Sequence, residues 1–433
     1  MRPSQRIGKS NPPSSANSRR GPYEQPRARY PQQAVPPRHR PAPPRPYAAP
    51  REEPIGPRPA VPTETTVEGV LEIYPKGYGF LRNPAKNLAA VNGDAYVSQS
   101  MIDRYRLKPG LLISGRTEPS REEGAGPRLV TLEKIEGMPA REFKDREFDN
   151  LTPIDPRVWL RLETGQEPLT TRVMDLLTPI GKGQRGLLVA PPRSGKTVVL
   201  QHTALAVAQN NPEMKIIVLL VDERPEEVTE MRRTIKGQVF SSSSDFEPEQ
   251  HVRIAELVVE RAKRLTEQGH DVFLLMDSLT RLARAYNKVG GSSGRTMTGG
   301  IDIQALEMPK RLFGSARAFD EGGTLTVMGT ALIETGSKMD DIIFQEFKGT
   351  GNMEMVLDRK LSDRRVYPAL DISQSGTRKE EKILPPDILK QITLLRRSLV
   401  SLNPLSAMMS LVEKLGEKKS NSEFLERVQT FVR

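Results

Sequence analysis

The sequence predicts an α/β domain, a parallel sheet covered by helices on both faces. A five-stranded β-barrel and a disordered Pro/Arg-rich tail precede it. Three observations carry this. From about residue 170 to 400, short apolar runs alternate with stretches of helical periodicity, the pattern of βαβ units. Residues 65–137 instead break into short strands separated by Gly, Pro and Asn. Residues 1–64 carry 17 of the chain's 37 prolines and few aliphatic side chains, too little apolar surface to offset chain entropy.

The tail also concentrates charge. Residues 1–60 hold 12 Lys and Arg against 3 Glu, so most of the net charge of +11 lies there. With Tyr23, Tyr30 and Tyr47 among its arginines, it suits loose, salt-sensitive contact with nucleic acid. A merely solubilising tail is the other reading. The chain has no Cys, which excludes disulfide and thiol chemistry, and four scattered His argue against a zinc site. No apolar run approaches the ~20 residues of a membrane span, and the N-terminus lacks the apolar core of a secretory signal. A cytoplasmic protein with no membrane partner is expected.

In the barrel region, strands are expected at Val67–Ile73, Gly77–Arg82, Ala95–Ser98, Leu111–Gly115 and Leu129–Ile135. Alternation along the second strand puts Tyr78 and Phe80 on one face with Arg82 beside them. Such a face can stack unpaired bases next to a cation; equally, the two rings can be core. Asp94, Tyr96 and Arg128 would line the same groove. Residues 138–168 read as a linker, charged from Arg141 to Asp149.

The α/β region is organised around Gly186-Leu-Leu-Val-Ala-Pro-Pro-Arg-Ser-Gly-Lys-Thr197. Leu187–Ala190 is a buried strand, Pro191–Gly195 a tight loop, and Lys196-Thr197 open a helix. Free N–H groups of the loop and first helical turn attract phosphate, and the helix dipole adds to that pull. Lys196 would reach the β- and γ-phosphates and the Thr197 hydroxyl would ligate Mg²⁺. Ala190 replaces the first Gly of the usual pattern. Two further apolar runs, Ile216–Glu223 and Asp271–Asp277, end in carboxylates. Ligands of parallel sheets sit at the carboxyl ends of strands. Asp277 is therefore the natural partner of Mg²⁺ through water, and Glu223 the natural group to orient or deprotonate an attacking water. Together these predict a nucleoside triphosphatase that uses Mg²⁺.

Two loops come next, Gly290–Gly300 with Arg295 and Glu334–Asp340 with Lys338, either gripping a polymer or serving as plain connections. Arg359, Arg364, Arg365 and Arg378 cluster late, as a neighbour-supplied finger or as a solvated basic face. The tail end, Asp387–Val432, is amphipathic helix.

Eleven such stretches in one order resemble the Rho family of bacterial transcription termination factors over residues ~66–433. Among them are Gly77-Tyr-Gly-Phe-Leu-Arg82, Asp94-Ala-Tyr96, Pro179–Gly186, Ala190–Thr197, Asp222–Met231, Asp277–Asn287, Thr335–Lys338 and Ser375–Lys379. The resemblance implies a homohexameric, RecA-like, RNA-dependent ATPase and helicase. Such an enzyme moves 5′-3′ along nascent single-stranded RNA, pyrimidine- or cytosine-rich, and releases it from the RNA polymerase elongation complex. It also implies a cold-shock-like (OB) barrel whose primary RNA site is Gly77, Tyr78, Gly79, Phe80, Leu81 and Arg82, with Asp94, Ala95, Tyr96, Gly126, Pro127 and Arg128. ATP would be bound by Gly181, Lys182, Gly183, Gln184, Arg185 and Gly186, by Arg193, Ser194, Gly195, Lys196, Thr197 and Val198, and by Arg224, with Tyr367 and Val198 flanking the adenine. Thr296, Met297, Thr298, Gly299, Gly300 and Lys338 would be the second RNA site. Arg378 would be the finger from the neighbouring subunit and Arg365 a second sensor of the γ-phosphate. The family's small N-terminal helical module is replaced by the Pro/Arg-rich tail, and Arg193 stands where Lys is common. A rotary-type ATPase subunit, a non-catalytic RNA-binding ring and a DNA-recombination filament are the rival readings.

Deleting residues 1–60 is expected to weaken RNA binding and flatten its salt dependence, by about 0.7 in the log–log slope for every phosphate the tail no longer neutralises. Titrations at several salt concentrations read this, and an unchanged slope would leave the tail a solubiliser.

Overall fold

The computed structural model describes residues 65–120, 124–290, 300–302 and 304–428. The tail, and within the Gly-rich loop Arg295, Thr296, Met297, Thr298 and Gly299, lie outside the described residues. Strands β1 (Thr65–Ile73), β2 (Gly79–Arg82), β3 (Ala95–Val97), β4 (Leu112–Glu118) and β5 (Arg128–Ile135) pair in the order β3-β2-β1-β4-β5. A parallel pairing of Tyr96 with Arg128 joins β3 to β5 and closes a five-stranded barrel. Leu71, Leu81, Val97, Ile113, Leu129 and Ile135 fill its interior. Helix α1 (Gln99–Tyr105), which strand periodicity does not signal, adds Ile102 to that core.

The expected linker, 138–168, is tied down at several points. β6 (Met138–Pro139) extends β5 as a hairpin, and the Phe148 ring meets Phe319 edge-on at 5.0 Å. β7 (Pro153–Ile154) pairs into the second sheet, and β8 (Trp159–Leu160) pairs with β9 (Ile180–Gly181). The second sheet contains β10 (Arg185–Ala190), β11 (Lys215–Glu223), β12 (Gln238–Ser243), β13 (Asp271–Asp277), β14 (Arg317–Phe319), β15 (Thr324–Leu332), β16 (Met353–Val356) and β17 (Gly376–Thr377). Its main path runs β12-β11-β13-β15-β10-β16-β17. All but β17 along that path are parallel.

Parallel strands buried on both faces read as near-continuous apolar runs. β10 shows it: Leu187 and Val189 pack into one core, Leu188 and Ala190 into the other. Helices α2 (Leu169–Leu177), α3 (Lys196–Asn210) and α4 (Pro225–Thr234) cover one face. α5 (Pro248–Glu267), α6 (Leu279–Val289), α7 (Glu307–Phe313) and α8 (Lys338–Lys348) cover the other. α9 (Arg359–Asp363), α10 (Pro386–Val400), α11 (Pro404–Gly416) and α12 (Asn421–Glu426) return to the first face. The fold is a RecA-like α/β domain behind an OB-like barrel.

The two parts are wired together by polar groups. Glu136 of the barrel accepts from Arg261 on α5. Glu72 on β1 accepts from Arg253 of α5 at 3.0 and 3.1 Å. Asn87 exchanges two hydrogen bonds with the Ser241 backbone of β12, at 2.6 and 2.7 Å.

Asp175 on α2 is 2% exposed and accepts from the Leu162 and Glu163 backbone N–H groups at 2.9 and 2.8 Å. Burial raises its carboxyl to about 7 against those two bonds, from an ordinary 3.8. The native state then keeps a proton that the unfolded chain loses near pH 4, so stability falls as pH rises from about 4 to 7, by up to ~1.4 kcal/mol per pH unit. Asp175→Asn removes this slope. Relative to the parent, its denaturant midpoint is expected to rise across that window and level off above it. A constant offset between the two would overturn the assignment.

Candidate nucleotide and RNA sites

The loop after β10 is shaped by two residues at positive φ, Arg193 at 65° and Gly195 at 92°. At Gly195 an L side chain would be strained, and its Cβ would also lie 3.5 Å from the Tyr367 ring. Ser194 locks the turn by donating to the Pro191 carbonyl at 2.7 Å. α3 begins at Lys196, so its unpaired N–H groups open onto the loop.

Lys196 does not project into solvent. Its Nζ donates to both Asp277 oxygens at 2.6 and 2.7 Å and to Glu223 Oε1 at 3.1 Å. Asp277 and Glu223 end the neighbouring strands β13 and β11 and are buried. A bulge at Asp222, φ 55°, shifts the β11–β12 register just before Glu223 and re-aims the strand end. Thr330 of β15 donates to Asp277 Oδ1 at 2.6 Å. Arg281, in the first turn of α6, lies 3.3 Å from Glu223 Oε2 and donates to the Asp222 carbonyl. Burial first, then the charge of Asp277, pushes the Glu223 carboxyl up, opposed by Lys196 and Arg281. Burial works against the Lys196 ammonium, but Asp277 and Glu223 outweigh it and raise it above its ordinary value.

Beside the loop, Val198, Val199, Tyr367, Pro368 and Ala369 border a cavity of about 320 Å³ with Ser194, Gly195, Thr170 and His202. Val198 and Tyr367 are exposed there, at 49% and 44%. A flat aromatic ring such as adenine suits that lining. Arg224 caps α4 two residues beyond Asp222, and it and Arg365 are exposed.

The structure separates the residues that resemblance groups at ATP. Gly181–Gly186 lies at the start of β10, and the phosphate loop at its end, a strand of six residues or roughly 20 Å away. Three of these residues are engaged at that far edge. Gly183 N donates to Thr326 Oγ1 at 2.8 Å, Lys182 pairs with Asp271 at 2.8 Å, and Gln184 donates to Asn352 Oδ1 at 2.9 Å. Arg378 borders a small cleft with Gln184 and Asn352. Burial, then the charges of Arg317 and Arg378, lowers the Arg185 guanidinium below its ordinary range.

On the barrel, the aromatic face is larger than expected. Tyr78, Phe80 and Tyr96 lie within 5.7–5.9 Å of one another, ring centre to ring centre. Tyr74 stacks on Tyr78 at 5.6 Å and 9°. Leu81 and Ala95 are core, Gly77 (φ 87°) forms the preceding turn, and the Pro127 carbonyl accepts from Tyr96 N at 2.8 Å. Arg128, exposed, sits opposite Tyr96. Gly79 starts β2, and Gly126 backs onto Asp94.

Arg82 corrects the sequence reading. It is not a cation on the open face but 3% exposed beneath it. It donates to Glu72 and Asp94 at 2.5 Å each and to the Tyr74 hydroxyl at 2.9 Å, with its guanidinium 5.0 Å from the Phe80 ring centre. Two carboxylates under the sheet need one planar donor with several N–H groups, and an inward guanidinium supplies it. Among the described residues of the second RNA stretch, Gly300 is exposed and its carbonyl accepts from Asn287. Lys338 opens α8 at its first residue. The buried Asp340 beside it accepts from Thr335 at 2.6 Å and Arg284 of α6 at 2.8 Å.

Sequence reasoning missed Tyr74, Arg281, Thr330 and Arg284. Spacing signals existed for two of them. Arg281 is four residues past Asp277, and Tyr74 faces Tyr78 across a tight turn, Tyr74 N donating to Tyr78 O at 2.8 Å.

A phosphate loop with two strand-end carboxylates, joined to a barrel with an aromatic face, defines a RecA-like ATPase carrying an RNA-binding domain. Family comparisons agree part by part. A model described as "Rho termination factor, RNA-binding domain" matches residues 67–141, and one described as "ATP synthase alpha/beta family, nucleotide-binding domain" matches residues 170–377. Transcription termination factor Rho of Pseudomonas aeruginosa is 50% identical over 373 residues, covering 84% of this chain and 88% of its own. That of Aquifex aeolicus is 51% identical over 364 residues, covering 83% and 84%. A solved ATPase from the type III secretion system of pathogenic bacteria shares the fold, with a TM-score of 0.53 at 22% identity over 73% of this chain and 94% of that one. The chain belongs to the transcription termination factor Rho family. It is a transcription termination factor that binds RNA and hydrolyses ATP. No helix among the described residues is long and apolar enough to cross a membrane.

The buried position of Arg82 carries a stability prediction. Arg82→Met leaves Asp94 and Glu72 without their shared cation and is expected to destabilise the barrel by about 3–5 kcal/mol. Arg82→Lys, which cannot fork, loses part of that. Unfolding followed by tyrosine fluorescence measures both, and an unaffected Met variant would place Arg82 outside the barrel's support.

Proposed function

We propose that the chain is an RNA-stimulated ATPase that works as a homohexameric ring, moves 5′-3′ along single-stranded RNA and releases it from the RNA polymerase elongation complex. The observation that supports this best is the clasp of Lys196 between Asp277 and Glu223, one helix away from the Lys338 loop. With ATP bound, phosphate oxygens would compete for the Lys196 ammonium and draw it from the carboxylates. The hard oxygens of Thr197 and Asp277 suit Mg²⁺, with the remaining positions left to water and phosphate. Mg²⁺ would neutralise charge on the β- and γ-phosphates. Glu223, its carboxyl pushed up by burial, is suited to orient the attacking water and take its proton. Val198 and Tyr367 would hold the adenine, and Arg224 and Arg365 would lie near the phosphates.

Arg378 and Gly181–Gly186 sit at the opposite sheet edge. In a ring they would face the neighbour's nucleotide, with Arg378 as the finger. α6 then offers a lever. Arg281 touches the Glu223 region, and Arg284, one residue short of a turn further on, holds Asp340 at the Lys338 loop. A shift at Glu223 on hydrolysis would move the loop that grips RNA. The barrel would hold the RNA's incoming segment on its aromatic face, favouring compact pyrimidines.

ATP turnover measured without polymer, with pyrimidine-rich RNA and with DNA of the same length tests this. RNA alone is expected to stimulate strongly. Glu223→Gln should abolish turnover, by at least about 10²-fold, yet bind ATP as the parent does. Turnover indifferent to RNA, or a fully active Gln variant, would sink the reading.

A further inference from the structure

The face proposed to take RNA carries a residue that neither strand alternation nor family resemblance pointed to. Tyr74 comes directly after β1 and opens the turn Tyr74-Pro75-Lys76-Gly77, closed by Gly77 N donating to Tyr74 O at 2.9 Å. The turn sets Tyr74 opposite Tyr78, so the two rings come together nearly parallel, at 9° and 5.6 Å. Phe80 meets Tyr74 edge-on at 5.7 Å. The hydroxyl is held as well, accepting from Arg82 Nη2 at 2.9 Å, while Arg82 is itself fixed by Glu72 and Asp94.

A tyrosine fixed only to fill a core would be enclosed. Tyr74 is instead partly exposed, as are Tyr78, Phe80 and Tyr96. Its orientation is thus locked before any ligand arrives, by a buried guanidinium at one end and a stacked ring on its face. A preset aromatic plane costs little entropy to use, which is what stacking on a flexible strand rewards. Lys76, exposed in the same turn, adds a positive charge to this part of the surface that a phosphate could meet.

We infer that Tyr74 is a further stacking residue of the primary RNA site, adding the surface for one more base beyond Tyr78, Phe80 and Tyr96. The inference rests on the reading of this face as the RNA site, and the experiment keeps the two apart. Affinity of the full chain, without ATP, for a short oligopyrimidine RNA is measured for Tyr74→Leu, Tyr74→Phe, Tyr74→Trp and Phe80→Leu, at several salt concentrations. Loss of one base stack is worth about tenfold or more in affinity. Tyr74→Leu is expected to bind about tenfold more weakly with an unchanged salt slope, because no phosphate partner is removed. Tyr74→Phe should stay within about twofold of the parent, and Tyr74→Trp should bind at least as tightly, which also serves if the Leu variant fails to fold. Parent-like binding by Tyr74→Leu with weakened Phe80→Leu would overturn the role of Tyr74 alone. Parent-like binding by both would overturn the site itself. Equal losses in Tyr74→Leu and Tyr74→Phe would assign the effect to the Arg82 bond and overturn stacking.

Discussion

Two carboxylates end adjacent buried strands, and the nucleotide edge of the sheet depends on how that charge is held. Asp277 and Glu223 repel each other in a place where water cannot screen them. Lys196 answers both at once, and Arg281 and Thr330 take further lone pairs. An unpaired buried carboxylate would protonate or disrupt its strand end. The same arrangement explains why the edge can respond to a triphosphate. The cation that balances the carboxylates is the one phosphate would draw away, so under the proposed function the two acids would become free to act when substrate arrives.

A comparable arrangement holds the barrel. Asp94, Arg82, Glu72 and Arg253 alternate in sign from beneath the aromatic face to helix α5 of the ATPase domain. The first three are nearly buried, so their attraction is weakly screened. Both functional faces therefore stand on alternating charges anchored in the same parallel-sheet domain. α5 carries Arg253 and Arg261 to the barrel, while α6 carries Arg281 and Arg284 to the nucleotide edge and the Lys338 loop.

Much of this was legible in the chain because strands buried on both faces leave uninterrupted apolar runs that stop at polar residues. Leu187–Ala190, Ile216–Val221 and Val272–Met276 are such runs, and the polar groups beyond them, Lys196, Glu223 and Asp277, are drawn together. Less local features were hidden. Alternation puts Arg82 on one face or the other, but nothing in the spacing says that Glu72 and Asp94 wait beneath it. Tyr74 lies past the end of β1, where period-two reasoning stops and turn geometry takes over. The tie of 138–168 into two sheets depends on partners such as Phe319, far along the chain.

The separation along β10 bears on assembly. A single strand cannot bring its two ends to one ligand, and Gly183, Gln184 and Lys182 are committed to Thr326, Asn352 and Asp271. Moving them to their own phosphate loop would break these hydrogen bonds and the strand start together. Two basic clusters thus sit at opposite ends of one sheet, Lys196 with its carboxylates balanced, Arg185 near Arg317 and Arg378 with like charges close by. At the first, a buried pair of acids offsets the cation; at the second, the neighbouring charges that act on Arg185 are positive, and a negatively charged ligand would offset them. Under the proposed ring, the neighbour's nucleotide would be such a ligand, so assembly would offset the like charges gathered at that edge.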